Sequence, residues 1–423
     1  MNIREILNFG YLPRVEGHLM FTVDVKTGNA QVEVMEGVRL FEGFVRGRKY
    51  DEVPYIVSRI CGLCPCSHNL CAIKAIEDAF EIQPSEQTIK LRKLIVFGEV
   101  IQSHLAHLYL LALPDYMGVK DVFDIYKKHP EEVKIGLKLR ENANYMLEVV
   151  GGRPVHPIST TINGFLKIPT QTQLKELLNK MKESVEYAVK TVELLSKLEI
   201  PNFERKTEYV ALKNENEYGL YDGKVVSSEG LNVESKDYME TVVETVKPYS
   251  TAKFSHRNGK PFYVGALARV NLNKDQLNEN AKKLMENMRL NFPSYNPYHN
   301  NLAQALEVVH CVEESIRILE ELLSTGLKNE KGEVKVKPGK GGSVVEAPRG
   351  VLYHSYVFDE EGYVKEASVL TPTAQNVANM EEDIRVILPT ISSLPRKQMI
   401  KKIESLIRAY DPCISCSVHL TQI

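Results

Sequence analysis

The stretch Arg59-Ile60-Cys61-Gly62-Leu63-Cys64-Pro65-Cys66-Ser67-His68 stands near the start of this chain, and Asp411-Pro412-Cys413-Ile414-Ser415-Cys416-Ser417-Val418-His419 stands near its end. Each is a C-x-x-C pair followed by a histidine, and together they offer four thiolates of the kind that hold a soft or borderline transition metal. Almost the whole chain separates the two pairs. If both serve one centre, the fold must bring its ends together. That reads as a single structural unit over residues 1–423, although 423 residues would allow two or three domains.

Spacing alone leaves three chemistries open: a structural four-thiolate zinc site, two separate redox pairs, or a catalytic metal centre. Zinc ribbons place their pairs within about 15–20 residues of each other, because they stabilise small modules. A chain with 43% hydrophobic residues has core enough without a zinc staple, and a thioredoxin-like motif needs only one pair.

The composition narrows the class. Seven cysteines is an odd number and four of them crowd into 61–71, poor spacing for a disulfide framework, so reduced thiols and a cytoplasmic setting are expected. A net charge of -2, from 53 basic and 55 acidic side chains, provides no field to attract nucleic acid or an anionic membrane. Met1-Asn2-Ile3-Arg4-Glu5 lacks the zones of a secretory signal, and no run of about 18 apolar residues is read, so no membrane insertion is expected.

Residues 18–38 alternate apolar and polar side chains around Lys26-Thr27-Gly28-Asn29, a hairpin pattern. Helical spacing runs over 70–80, 85–113, 122–150, 170–198, 274–290, 301–323 and 378–410. Two β-rich stretches, 209–270 and 332–370, read as peripheral hairpin layers. The fold class is therefore α+β, mainly α, with a central bundle of long helices.

The two cysteine segments, together with Arg14-Val15-Glu16-Gly17-His18, Glu42, Glu346-Ala347-Pro348-Arg349-Gly350 and Pro372-Thr373-Ala374-Gln375-Asn376 in that order, resemble the large subunit of [NiFe] hydrogenases over essentially the full chain. The resemblance implies that family's large-subunit fold and the reversible, heterolytic oxidation of H2 to protons and electrons. It implies Ni held by Cys61, Cys64, Cys413 and Cys416, with Cys64 and Cys416 bridging to an Fe that carries CO and cyanide. Cys413 then receives the proton and Glu16 carries it on. Arg349 lies over the metals as an electrostatic wall, fixed by Asp411. Pro348 and Thr373 face the cyanides, and His68 hydrogen-bonds the Cys64 sulfur. Glu42, His419 and the carbonyl of Val377 hold Mg2+, or Fe2+, near the carboxy terminus. Ser103 stands where membrane-bound members place an aspartate, which favours the cytoplasmic multisubunit branch.

Partners follow from the same resemblance and from cysteine arithmetic. Cys66, Cys71 and Cys311 are too few for an iron-sulfur cluster in this chain and read as packing residues, so electrons must leave through an iron-sulfur small subunit. Further subunits with FAD and NAD(P) are implied, with a deazaflavin, sulfur or ferredoxin-type acceptor as the alternative. No G-x-G-x-x-G stands here to bind a dinucleotide. The tail 420–423 resembles the peptide that a maturation protease removes after insertion factors load the metals. The rivals are a zinc-stabilised protein and a non-catalytic, complex I-like structural subunit. His104 and His107 read as hydrogen-bonded core histidines, and Lys337-Pro338-Gly339-Lys340-Gly341-Gly342-Ser343 as the turn that delivers Glu346 to Gly350.

Overall fold

A computed structural model describes residues 6–288 and 291–418. Strands β1 (Ile6–Phe9), β2 (Leu19–Asp24) and β3 (Asn29–Val34) open it as an antiparallel sheet in that order. Leu19, Phe21 and Val23 on β2 and Ala30, Val32 and Val34 on β3 are buried and alternate with more exposed neighbours, so one face of the expected hairpin packs on the core.

Helix α1 (Pro65–Ala79) begins directly behind Cys64, five residues earlier than its apolar spacing indicates, because Pro65 at its first position presets the helical φ. Helices α2 (Glu86–Leu105), α3 (Pro130–Gly151), α4 (Gln171–Ser196) and α5 (Asn300–Thr325) form the central bundle: α4 lies against α3 and α5, and α2 against the same two. Local chemistry sets their starts. Ser85 Oγ accepts from Thr88 N at 3.2 Å, and Thr170 with Gln173 makes a reciprocal capping box. The expected helix over 122–150 is broken at Pro130, which ends a short helix at Lys128 and starts α3.

Beyond α2 the chain continues as a π-helix, Ala106–Ala112, and a final turn to Tyr116. The wider turn re-aims this segment, and the Leu111 carbonyl accepts from Arg14 Nη1. The expectation that no apolar run would be long enough to cross a bilayer needs correcting. Glu86–Tyr116 passes by length and composition, with a window of mean hydropathy 1.4, but 83% of that window is buried inside the fold, as in a core helix.

The three-stranded sheet β4 (Gly339–Ala347), β5 (Gly350–Phe358) and β6 (Val364–Leu370) packs its first two strands on α1. Its first strand corrects the reading of 337–343 as a turn. At Gly341 a Cβ would sit 2.1 Å from the Ala75 carbonyl oxygen, so the glycine is there for close approach of strand to helix. The expected helix over 378–410 is two helices, α6 (Pro372–Ile391) and α7 (Arg396–Ala409), parted before Pro395. Between α4 and α5 lie a two-stranded and a four-stranded sheet, and the helix Ala266–Asn273 takes over the last residues of the stretch 209–270 that reads as β-rich.

Candidate metal centre

The two ends of the described chain meet through backbone: Ile414 N donates to the Glu16 carbonyl at 3.0 Å, and Glu16 and Cys413 form a parallel bridge. Gly17, with φ +85, allows that contact, since a Cβ there would lie 2.8 Å from the Ile414 Cβ. Cys61 follows a single 3-10 turn, Cys64 stands at the start of α1, Cys413 precedes the turn Ile414–Ser417 and Cys416 lies within it. Asp411, with φ +52, makes the bend that turns Cys413 inward behind Pro412.

All four sulfurs converge. Cys61 Sγ lies 3.3 Å from Cys413 Sγ, Cys64 Sγ 3.5 Å from Cys416 Sγ, and Cys413 Sγ 3.0 Å from Cys416 Sγ. All lie within 4.8 Å of one another and all are buried. Burial, then hydrogen bonds with Cys413, Cys61 and Cys64, push the Cys416 thiol well above its usual range. Four buried thiolates cannot share so small a space without a cation, so this donor set suits a soft or borderline metal.

Glu16 stands at the edge of this cluster. Its Oε2 lies 3.2 Å from Cys413 Sγ and accepts from Ser415 N at 3.0 Å, while Oε1 accepts from Ser415 Oγ. Burial, then the charge of Cys413, push its carboxyl up to about 7. Arg349 is buried, donating from Nε to the Asp411 carbonyl at 2.7 Å, from Nη2 to Asp411 Oδ1 at 2.8 Å and from Nη1 to Ser103 Oγ at 3.2 Å. Burial works against its charge, but Asp411 and the cysteine sulfurs outweigh it and hold the guanidinium protonated.

His68 departs from its expected contact, while Thr373 bonds the second cysteine segment. Thr373 Oγ1 accepts the Cys413 N–H at 3.1 Å, so it positions the end of the chain. His68 makes no hydrogen bond to the Cys64 sulfur among the described residues: its ring sits one helical turn on, Nδ1 pairs with His354 Nε2 at 3.0 Å, and its buried Nε2 has no partner. Burial pushes the His68 imidazole down to about 4, which keeps it neutral. Glu42 Oε1 accepts from Val369 N at 2.8 Å, with Lys253 Nζ at 3.9 Å, and its buried Oε2 has no partner, an oxygen free to meet a hard cation. Val377 is buried on α6. His419 and the tail 420–423 lie outside the described residues.

One group escaped the sequence reading. Arg269, fully buried, donates from Nη1 to the Ala347 carbonyl at 3.0 Å and from Nη2 to the Pro348 carbonyl at 2.9 Å, the two groups just before Arg349. It also grips Glu307 through Nε at 2.6 Å and Nη2 at 2.7 Å, and reaches Glu346 Oε2 at 2.8 Å. Only Glu346 lay in a recognisable motif. Elsewhere His104 pairs with Glu307 and His107 with Gln304, while burial pushes the Cys66, Cys71 and Cys311 thiols up, in keeping with packing roles.

A family model described as nickel-dependent hydrogenase matches residues 39–153 and 185–419. The chain is 36% identical over 422 residues to the alpha subunit of sulfhydrogenase 1 from Pyrococcus furiosus, covering 99% of this chain and 98% of that one. It is 34% identical over 450 residues to a subunit of the F420-non-reducing hydrogenase from Methanothermobacter thermautotrophicus, covering 96% and 93%. A crystal structure of an NAD+-reducing [NiFe]-hydrogenase in its H2-reduced state superposes with a TM-score of 0.89 at 27% identity, covering 98% of this chain and 99% of that chain.

Proposed function

This chain belongs to the nickel-dependent hydrogenases as the catalytic large subunit of a [NiFe] hydrogenase, and on that premise we propose how its residues divide the work of splitting H2. The zinc and complex I-like readings fall with the family and with the four retained thiols.

Cys61, Cys64, Cys413 and Cys416 would hold Ni, and Cys64 and Cys416 would also serve an Fe that carries CO and cyanide. The convergence of four buried sulfurs from both ends of the chain is the observation that carries this reading. When bound, the metals supply the two-electron chemistry of H2 cleavage. The chain supplies the path for the proton. Cys413 Sγ receives it and Glu16 Oε2, at 3.2 Å, carries it on, and a carboxyl near pH 7 in its titration can both take and release it. Arg349, kept charged and held by Asp411 and Ser103, is a fixed positive wall and a poor base. Pro348 and Thr373 would orient the ligands around the centre. Glu42, with the Val377 carbonyl and His419, takes a Mg2+, or Fe2+, at the carboxy-terminal end, and the orphaned Oε2 of Glu42 supports this.

The whole of 1–423 acts as one unit, and an iron-sulfur small subunit takes the electrons onward. The names of the relatives, a sulfhydrogenase and an NAD+-reducing enzyme, support a final acceptor that is NAD(P) or sulfur and is bound by other subunits. Purifying the complex and assaying H2-dependent reduction of a viologen dye, then of NAD+, NADP+ and polysulfide, tests this. Dye reduction with at least one natural acceptor is the expected result; no H2-dependent reduction of any acceptor by a nickel-loaded complex would overturn it.

A further inference from the structure

Helix α1 carries Cys64 in the position that normally caps a helix, and this raises a local problem. An N-cap residue usually offers a side-chain oxygen to the first free amides, but Cys64 makes no such bond and its sulfur faces the other cysteines. Pro65 has no N–H, so the first amides in need of acceptors belong to Cys66 and Ser67. Both are met from another helix. Glu99 on α2, only 1% exposed, accepts from Cys66 N through Oε1 at 2.6 Å, and from Ser67 N at 2.9 Å and Ser67 Oγ through Oε2.

We propose that Glu99 is a positioning residue for the metal centre: its carboxylate caps α1 in place of Cys64, leaves that cysteine free to bind metal, and fixes where the Cys64 sulfur sits. The inference rests on the hydrogenase reading for its effect on the metals. Burial pushes the Glu99 carboxyl up to about 7 against the pull of the Ser67 and Cys66 hydrogen bonds, and in its ionised form it offsets the positive potential that the peptide dipoles leave beside Cys64. Removing that charge makes the sulfur a weaker donor without touching a ligand.

The test compares Glu99→Gln and Ser67→Ala with the native sequence in the full complex. Turnover in Glu99→Gln falls about 10- to 100-fold, and the CO and cyanide infrared bands of the resting enzyme move to higher wavenumber, with a smaller shift in the same direction for Ser67→Ala. Bands at native positions in both variants, even with a lower Tm, make Glu99 an ordinary helix cap and overturn the proposal. If Glu99→Gln does not fold, Ser67→Ala decides. If the native complex shows no such bands, the hydrogenase reading fails, and Co2+ binding to the four cysteines of the full chain, read from its thiolate-to-metal absorption, still decides Glu99: weaker binding in Glu99→Gln supports the positioning role, and native binding removes it.

Discussion

Replacing Arg269 by methionine tests how the Arg349 turn is held. In the native chain burial acts to raise the Glu307 carboxyl, but Arg269 and then His104 outweigh it and hold Glu307 down to about 2. Against an ordinary value near 4.5, that shift corresponds to about 3 kcal/mol of stability at neutral pH. Arg269→Met removes this stabilisation, strands a buried charge, and leaves the Ala347 and Pro348 carbonyls without these donors. The combined loss is about 4–6 kcal/mol. Urea unfolding of the metal-free full chain, followed by far-UV circular dichroism, measures it as a lower midpoint. Adding Glu307→Leu recovers much of the loss, because it removes the stranded charge. Burial pushes Glu346 up to about 7 against the pull of Arg269, so Glu346→Gln costs less than Glu307→Gln. The pH signs are opposite. Stability from Glu307 is present above about 4.5 and fades as pH falls towards 2; that from Glu346 is complete below about 4.5 and fades as pH rises through 7. Glu346→Gln therefore flattens the decline between those two values. A loss below about 1 kcal/mol in Arg269→Met, or a double variant weaker than the single, refutes the reasoning.

Cys413→Ser is expected to abolish turnover, and any substantial activity contradicts the role of its sulfur. Glu16→Gln blocks proton exchange, read as H2/D2O isotope exchange, while leaving Ni and Fe in place; exchange at the native rate removes Glu16 from the path. Arg349→Lys keeps a charge but loses the fork that spans Asp411 and Ser103, and turnover falls about 10- to 100-fold, so near-native turnover argues against a fixed guanidinium. Gly341→Ala forces β4 off α1 and destabilises the fold by about 1–3 kcal/mol, visible as a lower Tm; an unchanged Tm means the strand can move aside.

Much of this was legible before any coordinates. The helices over 170–198 and 301–323 stand nearly where their spacing puts them: the first buries one stripe in the bundle, and the second is buried all round over Asn300–Val312 and on one face beyond. The π-helical turn at Ala106–Ala112 was not legible, because its apolar spacing does not depart from an α-helical pattern over so short a stretch. Gly341 reads as a turn residue until α1 is seen lying against it. The four cysteines, Glu16, Asp411 and Arg349 were readable because their motifs are local in sequence. Arg269, Glu307 and Glu99 were not: a carboxylate or guanidinium on a helix looks like a solvated side chain until tertiary packing reveals its partner.

The most direct measurement of the central claim is metal analysis of the purified complex together with its infrared spectrum. One Ni and one Fe at the four-cysteine site, with bands from CO and cyanide on the iron, is the predicted result. Zinc in that site with no such bands contradicts it.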